Sequence, residues 1–391
     1  MRPGPLKPLT VMLVAGEASG DERGAGLAAA LRRRLGDQVR FVGVGGRKMA
    51  AEGIGSPFDI SELSILGFFD ALMAWGRARR RITDTVALAK RERPDVAVLI
   101  DSWGFTIRVA KALRKALPGV KLVKYVGPQI WATRPERARV LARAVDHLLT
   151  IHSFDKPMFE AAGLPTTFVG NSALKTDYSA ADPVRFRKSI GAKKDEPILL
   201  VLPGSRPSEV KRLAPIFEGT LQRLKEQRPA LHVVVIGAHT VRDQVTAWVA
   251  GLPFRAHLIE DDAAKRDAMR AATVALACSG TVTIELALAG APMVIAYRLD
   301  PATYEIAKHM IRTPWITLFN IAARDRVAPE FVQGDAEPQT LAESVARRLD
   351  DPALRRLQVE RQNAALELMG RDVGDPDELA AEAVLKLLGR A

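Results

Sequence analysis

Five stretches of this 391-residue chain place chemically capable side chains at defined spacing. In Ile100-Asp101-Ser102-Trp103-Gly104-Phe105 an aspartate ends a short apolar run. A carboxylate at the C-terminal end of a buried strand stands where open α/β sheets bind ligands, and it could act as a general base. It could equally cap the helix that follows. Gly16-Glu17-Ala18-Ser19-Gly20-Asp21, with Gly24 and Gly26 behind it, follows another apolar run. A glycine loop opening a helix offers N–H groups and a positive dipole end to an anion. The alternative is a tight turn capped by Ser19 or Asp21. The loop is not GxGxxG and no Walker loop occurs, so dinucleotide and P-loop chemistry lose their main sequence support.

Val201-Leu202-Pro203-Gly204-Ser205-Arg206, then Glu209, has a glycine that admits a ligand and an arginine suited to bidentate phosphate pairing. A surface turn with a solvated arginine is the competing reading. Ser279-Gly280-Thr281-Val282-Thr283-Ile284-Glu285 puts Ser279 or Thr281 at a helix start, where backbone N–H groups suit a pyrophosphate or a uridine ribose. Glu285 could accept from ribose hydroxyls, or simply stabilise the helix dipole. Finally, Leu66, Phe68, Phe69, Leu72, Met73 and Trp75 run into Arg77, Arg79, Arg80 and Arg81. This suits a membrane interface or a phosphorylated acyl chain; an amphipathic core helix with a solvated basic face fits as well. The six histidines form no HExxH and no Cys–His cluster exists, so no metal site is expected. There is no GxSxG elbow and no recognisable nucleic-acid-binding signature.

The elements that must hold these stretches alternate. Strands are predicted at 11–15, 39–44, 96–100, 121–126 and 148–151, with helices at 20–35, 77–91, 106–116 and 135–143. The series restarts with strands at 197–202, 232–236, 257–259, 273–277 and 293–297, and helices at 210–227, 241–251 and 282–289. Strands apolar on both faces imply parallel sheets covered by helices. Two such series predict two doubly wound domains, 1–175 and 176–391, joined near 170–183. The stretch 339–391 is helical by period.

Composition narrows the class. The apolar share is 48% and the charged share 26%, which excludes wholesale disorder. No uncharged run is long enough to span a membrane, and 11–15 is too short for a signal-peptide core. A single cysteine, Cys278, suits a reducing compartment, so the expected location is cytoplasmic. The net charge of +12 is uneven. Residues 1–180 carry 28 Lys and Arg against 17 Asp and Glu; residues 181–391 carry 29 against 28. The first half therefore calls for an anionic partner, be it nucleic acid, phosphorylated substrate or membrane surface, unless its basic surface is merely solvated.

Taken in order, the motifs resemble the lipid-A-disaccharide synthase family. They are AGEASGD with GAGL (15–27), FVGVGGRKM with EG (41–53), LSILGFFDAL (63–72), PDVAVLID (94–101), YVGPQIWATRPER (125–137), TTFVGNS (166–172), LPGSRPSEV (202–210), SGTVTIELAL with APMVIAYR (279–298), ITLFN (316–320) and PEFVQ (329–333). The resemblance implies a GT-B glycosyltransferase: two Rossmann-like domains facing across a cleft, an N-terminal one for the acceptor and a C-terminal one for the UDP-sugar. In such folds the last helix often crosses back to the first domain, and residues 378–388 could do so. The implied reaction joins UDP-2,3-diacylglucosamine to 2,3-diacylglucosamine 1-phosphate, with inversion, giving lipid A disaccharide 1-phosphate and UDP. No metal or other cofactor is implied, and no nucleic acid partner. The implied setting is the cytoplasmic surface of the inner membrane.

Carried onto this chain, the resemblance makes Asp101 the candidate base. It places Glu17 and Ser19 in the N-terminal loop and Arg206 on the diphosphate. It places Ser279, Thr281 and Glu285 in the nucleotide loop, and Asn320, Glu330 and Gln333 on the donor side. The chain departs from the family at Trp103-Gly104, where Pro and an acid are usual, and at Asn171-Ser172, where His-Pro is usual. Thr133 and Phe319 also differ from the usual WAW and LPN. These departures keep open a GT-B paralogue with another acceptor, or a UDP-sugar epimerase. A basic nucleic-acid-binding protein is the remaining alternative.

Overall fold

The computed structural model describes residues 8–63 and 71–390, with the side chains of 71–75 excepted. Its strands form two parallel sheets. The first contains β1 (Leu9–Ala15), β2 (Val39–Val44), β3 (Val96–Ile100), β4 (Lys121–Tyr125), β5 (His147–Thr150) and β6 (Thr166–Phe168), in the order β2-β1-β3-β4-β5-β6. The second contains β7 (Ile198–Leu202), β8 (His232–Ile236), β9 (Ala256–Ile259), β10 (Val274–Cys278), β11 (Met293–Tyr297) and β12 (Glu330–Val332), in the order β12-β11-β10-β7-β8-β9.

Every residue of β1, β3, β7 and β10 is buried, as a parallel sheet covered on both faces requires. The two-residue period then divides each strand between two cores. Val11 and Leu13 join Leu27, Leu31 and Val98 on one face, while Met12 and Val14 join Leu99, Val109 and Leu113 on the other. In the second sheet Leu199 and Val201 face one core, and Ile198 and Leu200 the opposite one.

Strand order reverses between β1 and β3 in the first sheet, and between β7 and β10 in the second. At such a switch point the flanking loops diverge and leave a crevice at the carboxyl ends of the strands. The loops after β1, β3, β7 and β10 are the ones that carry Glu17, Asp101, Arg206 and Ser279.

The sequence reading missed β6 and β12. Each is a three-residue strand at a sheet edge, too short to show a period. One compact unit comprises residues 1–171 with 372–391, the other 172–371. The last helix, Pro376–Leu387, belongs to the first unit and packs on helix Ala18–Leu35. Arg33 and Arg34 both reach the Glu378 carboxylate, at 2.7 and 2.8 Å. The helices approach so closely that a Cβ on Gly26 would lie 2.2 Å from an Asp377 oxygen. Gly26→Val is therefore expected to destabilise the protein by roughly 1–3 kcal/mol. Urea unfolding would show it, and an unchanged midpoint would contradict the close packing.

Of the apolar-basic stretch, Leu66, Phe68 and Phe69 lie outside the described residues, as do the side chains of Leu72, Met73 and Trp75 in helix Ala71–Glu92. Arg77, Arg79 and Arg80 are exposed. Arg81 is spent within its unit: it pairs with Glu62 and Asp84 and lies 4.8 Å over the Phe58 ring. Among the described residues no helix is long and apolar enough to cross a membrane.

Candidate functional site

In the first unit, the loop after β3 takes an unusual path. Asp101 and Ser102 adopt φ of +48° and +39°, two successive non-glycine residues in the left-handed region. That conformation is strained for L-residues and persists only where surrounding contacts hold it. The contacts are present. The Asp101 N–H donates to the Tyr125 carbonyl at 2.8 Å, and Thr106 Oγ1 contacts the Asp101 carbonyl at 2.7 Å. The carboxylate accepts from the Ser102 N–H at 3.0 Å and from Ser19 Oγ at 3.1 Å. Arg23, one helical turn beyond Ser19, stands 3.6 Å away. Asp101 is thus a half-buried carboxylate with a hydroxyl and a guanidinium beside it, and it does not cap the next helix, whose N-cap is Ser102.

The alternative reading of the Gly16–Asp21 loop, a turn capped by Ser19 or Asp21, is not what forms. Glu17 is the N-cap, and no side chain bonds there. Asp21 turns away instead and accepts from the N–H groups of Gly46, Lys48 and Met49, at 2.7–3.0 Å. It staples the start of the short helix Arg47–Ala51 to the first helix. This frees the Glu17–Ser19 corner, which is exposed.

Sequence reasoning missed Lys124 although a signal was present: a lone lysine inside the buried run Leu122–Tyr125. Lys124 is 1% exposed, and its ammonium donates to the Asp101 carbonyl and to Thr106 Oγ1, the latter at 2.8 Å. Burial pushes its pKa down to about 7, while the nearby charges of Asp101 and Glu17 work in the opposite direction. An unfolded lysine holds its proton to about 10.4. Between about 7 and 10.4 the unfolded chain therefore binds more protons, and stability should rise with pH because of this group. Lys124→Met is expected to be more stable than wild type at pH 7, by up to about 4 kcal/mol. The advantage should shrink as pH rises. Thermal unfolding from pH 7 to 10 would test this, and a pH-independent difference would refute it.

Farther along the first sheet, Thr150 Oγ1 donates to Asp155 at 2.6 Å, and burial raises that carboxyl to about 7. His152 stacks on Phe154 at 5.2 Å, and burial lowers its imidazole to about 4, with Arg23 adding to the effect. Trp131 meets Phe154 edge-on at 5.5 Å. Trp103, one of the departures from the family pattern, lies under the Arg137 guanidinium at 5.3 Å.

In the second unit, a cavity of about 520 Å³ opens at the switch point, lined in part by Gly204, Arg206, Lys265, Ser279, Thr281 and Glu285. Gly204 has φ +126°, and a Cβ there would come within 2.7 Å of Glu209. Glycine is thus needed both for the turn and for the close approach. The buried Glu209 carboxylate accepts from the Ser205 and Arg206 N–H groups and pairs with the Arg206 guanidinium at 2.8 Å. Arg206 remains 72% exposed, with donors left over for a ligand. Opposite it, Lys265 pairs with Glu285 at 2.6 Å. A Cβ on Gly280 would meet nothing within 4 Å, so a ligand can reach that backbone.

No hydroxyl caps the helix after β10. Thr281 is the N-cap but its side chain makes no cap bond, and Ser279 Oγ donates to the Ile316 carbonyl at 3.4 Å. Burial pushes the Cys278 thiol up, which removes it as a nucleophile. Among the described residues no three His, Cys, Asp or Glu side chains gather as a metal site.

Asn320, Glu330 and Gln333 do not line this cavity. Asn320 is fully buried, and its amide bonds the backbone of Val327 and Ala328. Glu330 accepts from the Ile316 and Thr317 N–H groups and from Thr317 Oγ1. Gln333 accepts from the Leu299 N–H at 2.7 Å. These three hold loops together, and Glu330 fixes Ile316, whose carbonyl receives Ser279.

The profile of the lipid-A-disaccharide synthetase family matches residues 11–384. A lipid-A-disaccharide synthase of Rhodospirillum centenum is 41% identical over 383 residues, 98% of this chain and 96% of that protein. One of Nitrobacter winogradskyi is 40% identical, over 97% and 95%. Among solved structures, the kitacinnamycin glycosyltransferase superposes with a TM-score of 0.60 at 17% identity, over 97% of this chain and 99% of that one. The UDP-GlcNAc 2-epimerase of Neisseria meningitidis, bound to UDP-GlcNAc, gives 0.57 at 13% identity, over 98% and 100%. At these identities the two structures speak for the GT-B fold alone.

Proposed function

The chain belongs to the lipid-A-disaccharide synthase family, glycosyltransferases of lipid A biosynthesis, and from that premise we propose the substrates and the role of each site residue. The donor is UDP-2,3-diacylglucosamine and the acceptor 2,3-diacylglucosamine 1-phosphate. The acceptor 6-hydroxyl oxygen attacks the donor's anomeric carbon from the face opposite UDP. The new C–O bond forms as the bond to the diphosphate breaks; the configuration inverts, and UDP leaves with the bonding pair. The hydroxyl proton passes to the Asp101 carboxylate. A carboxylate is a weak base for a free alcohol, so the proton moves as the C–O bond forms.

The carrying observation is the left-handed turn that presents the Asp101 carboxylate beside Ser19 and Arg23. Glu17 and Ser19 would line the acceptor side. In the second unit the Arg206 guanidinium and the open backbone at Gly280 would take the diphosphate, and Ser279 and Thr281 would border the nucleotide. Glu285 would receive ribose hydroxyls. Asn320, Glu330 and Gln333 would act on the donor side by fixing the loops they bond.

The excess positive charge of the first half supports contact with an anionic lipid surface, and the implied setting is the cytoplasmic face of the inner membrane. The test is a mixed-micelle assay with both lipid substrates, reading disaccharide 1-phosphate by mass spectrometry. Folded protein that binds UDP but transfers only to another acceptor would replace the lipid assignment.

A further inference from the structure

We propose that Lys124 is a positioning residue for Asp101, its ammonium holding the Asp101–Ser102 turn in the conformation that aims the carboxylate at the acceptor hydroxyl. The inference rests on Asp101 acting as the base.

Lys124 pairs in register with Leu99, two residues before Asp101, so its side chain needs only to run toward the carboxyl end of the sheet to arrive beneath the turn. There Nζ and Thr106 Oγ1 converge on one carbonyl, that of Asp101. Oγ1 also contacts the Ser102 carbonyl at 3.0 Å. The Asp101 carbonyl is therefore held by Lys124 and Thr106, while the Ser102 N–H and Ser19 hold its carboxylate.

The charge is the telling feature. A buried ammonium is costly unless paired, and this one has only a carbonyl and a hydroxyl as hydrogen-bond partners. No carboxylate lies within ion-pair distance of it among the described residues; the anions that act on it are Asp101 and Glu17. A methionine would fill the same space without that cost. A lysine here thus gives up stability, and what it supplies in return is a strong donor bonded to the backbone carbonyl of the residue that carries the reacting carboxylate. Arg23 supplies the matching cation from the side.

A double-mutant cycle separates this from a merely structural role. Steady-state kcat and KM are measured for wild type, Lys124→Met, Asp101→Asn and the double variant, with UDP binding and thermal unfolding as checks on the fold. Lys124→Met is expected to lower kcat about tenfold with KM little changed, as for a misaimed catalytic group. The double variant should be no slower than Asp101→Asn alone. Thr106→Val, which removes the second anchor and keeps the lysine, should show a smaller loss in kcat. Should Lys124→Met misfold, this variant carries the test in the same cycle. Full kcat in Lys124→Met, or an equal fold-loss in the Asp101→Asn background, overturns the proposal and leaves the base intact. Wild-type activity in Asp101→Asn removes the base reading, and the positioning role with it.

Discussion

Asp101→Asn is expected to cut disaccharide formation by roughly 10²- to 10⁴-fold, the range set by loss of a positioned general base. Asparagine has the same shape and tolerates the left-handed backbone better than most residues, so the strained turn should survive. The two donors use different carboxylate oxygens, so with the amide oxygen kept toward the Ser102 N–H the amide nitrogen faces Ser19 Oγ, which can accept from it. What disappears is the ability to accept the 6-hydroxyl proton. The loss should fall on kcat, with donor KM little affected and UDP binding to the second unit intact. Initial rates and isothermal titration with UDP would show this pattern. A variant with normal turnover would keep the family and the fold but move the base elsewhere.

The second large effect is expected at Arg206. Arg206→Ala should weaken donor binding about ten- to hundredfold, as for loss of charge-assisted hydrogen bonds. In the free protein the guanidinium meets Glu209 through one nitrogen and is otherwise exposed, so its remaining N–H groups are free for phosphate oxygens. Removing it should not collapse the loop, because Glu209 keeps the Ser205 and Arg206 N–H bonds. Arg206→Lys should recover only part of the affinity, since a point charge cannot form two parallel bonds to a diphosphate. UDP titration and donor KM read the effect directly. Unchanged UDP affinity in Arg206→Ala would shift the diphosphate role to the backbone around Gly280 and to Lys265.

Much of the architecture could be read from local signals. The alternation of both-face apolar runs with helical periods marked ten of the twelve described strands, and failed only where β6 and β12 are three residues long. Asp101, Arg206, Ser279 and Glu285 were legible because they end strands or begin helices, positions that topology assigns to ligands. Lys124 was harder. A lysine in an apolar run can snorkel to solvent or point inward, and only the register of β4 on β3 decides which. Asp21 shows the opposite error. Its local sequence fits a cap, yet its partners lie 25–28 residues away, at the start of the short helix Arg47–Ala51.

What the sequence determined by itself was the family, the two-sheet α/β class and the chemical types available at each strand end, since these follow from residue identity and short-range period. Tertiary structure decided which of those groups remain open to solvent and which hold the chain. Asp101 and Asn320 both sit beside a helix start. One presents a half-buried carboxylate with Ser19 and Arg23; the other is fully buried and spent on backbone groups. The physical reason is that a polar side chain satisfies its hydrogen bonds with whatever the fold brings near it. Residues remote in sequence from Asp101, such as Arg23 and Lys124, come into reach only when the sheet order is set.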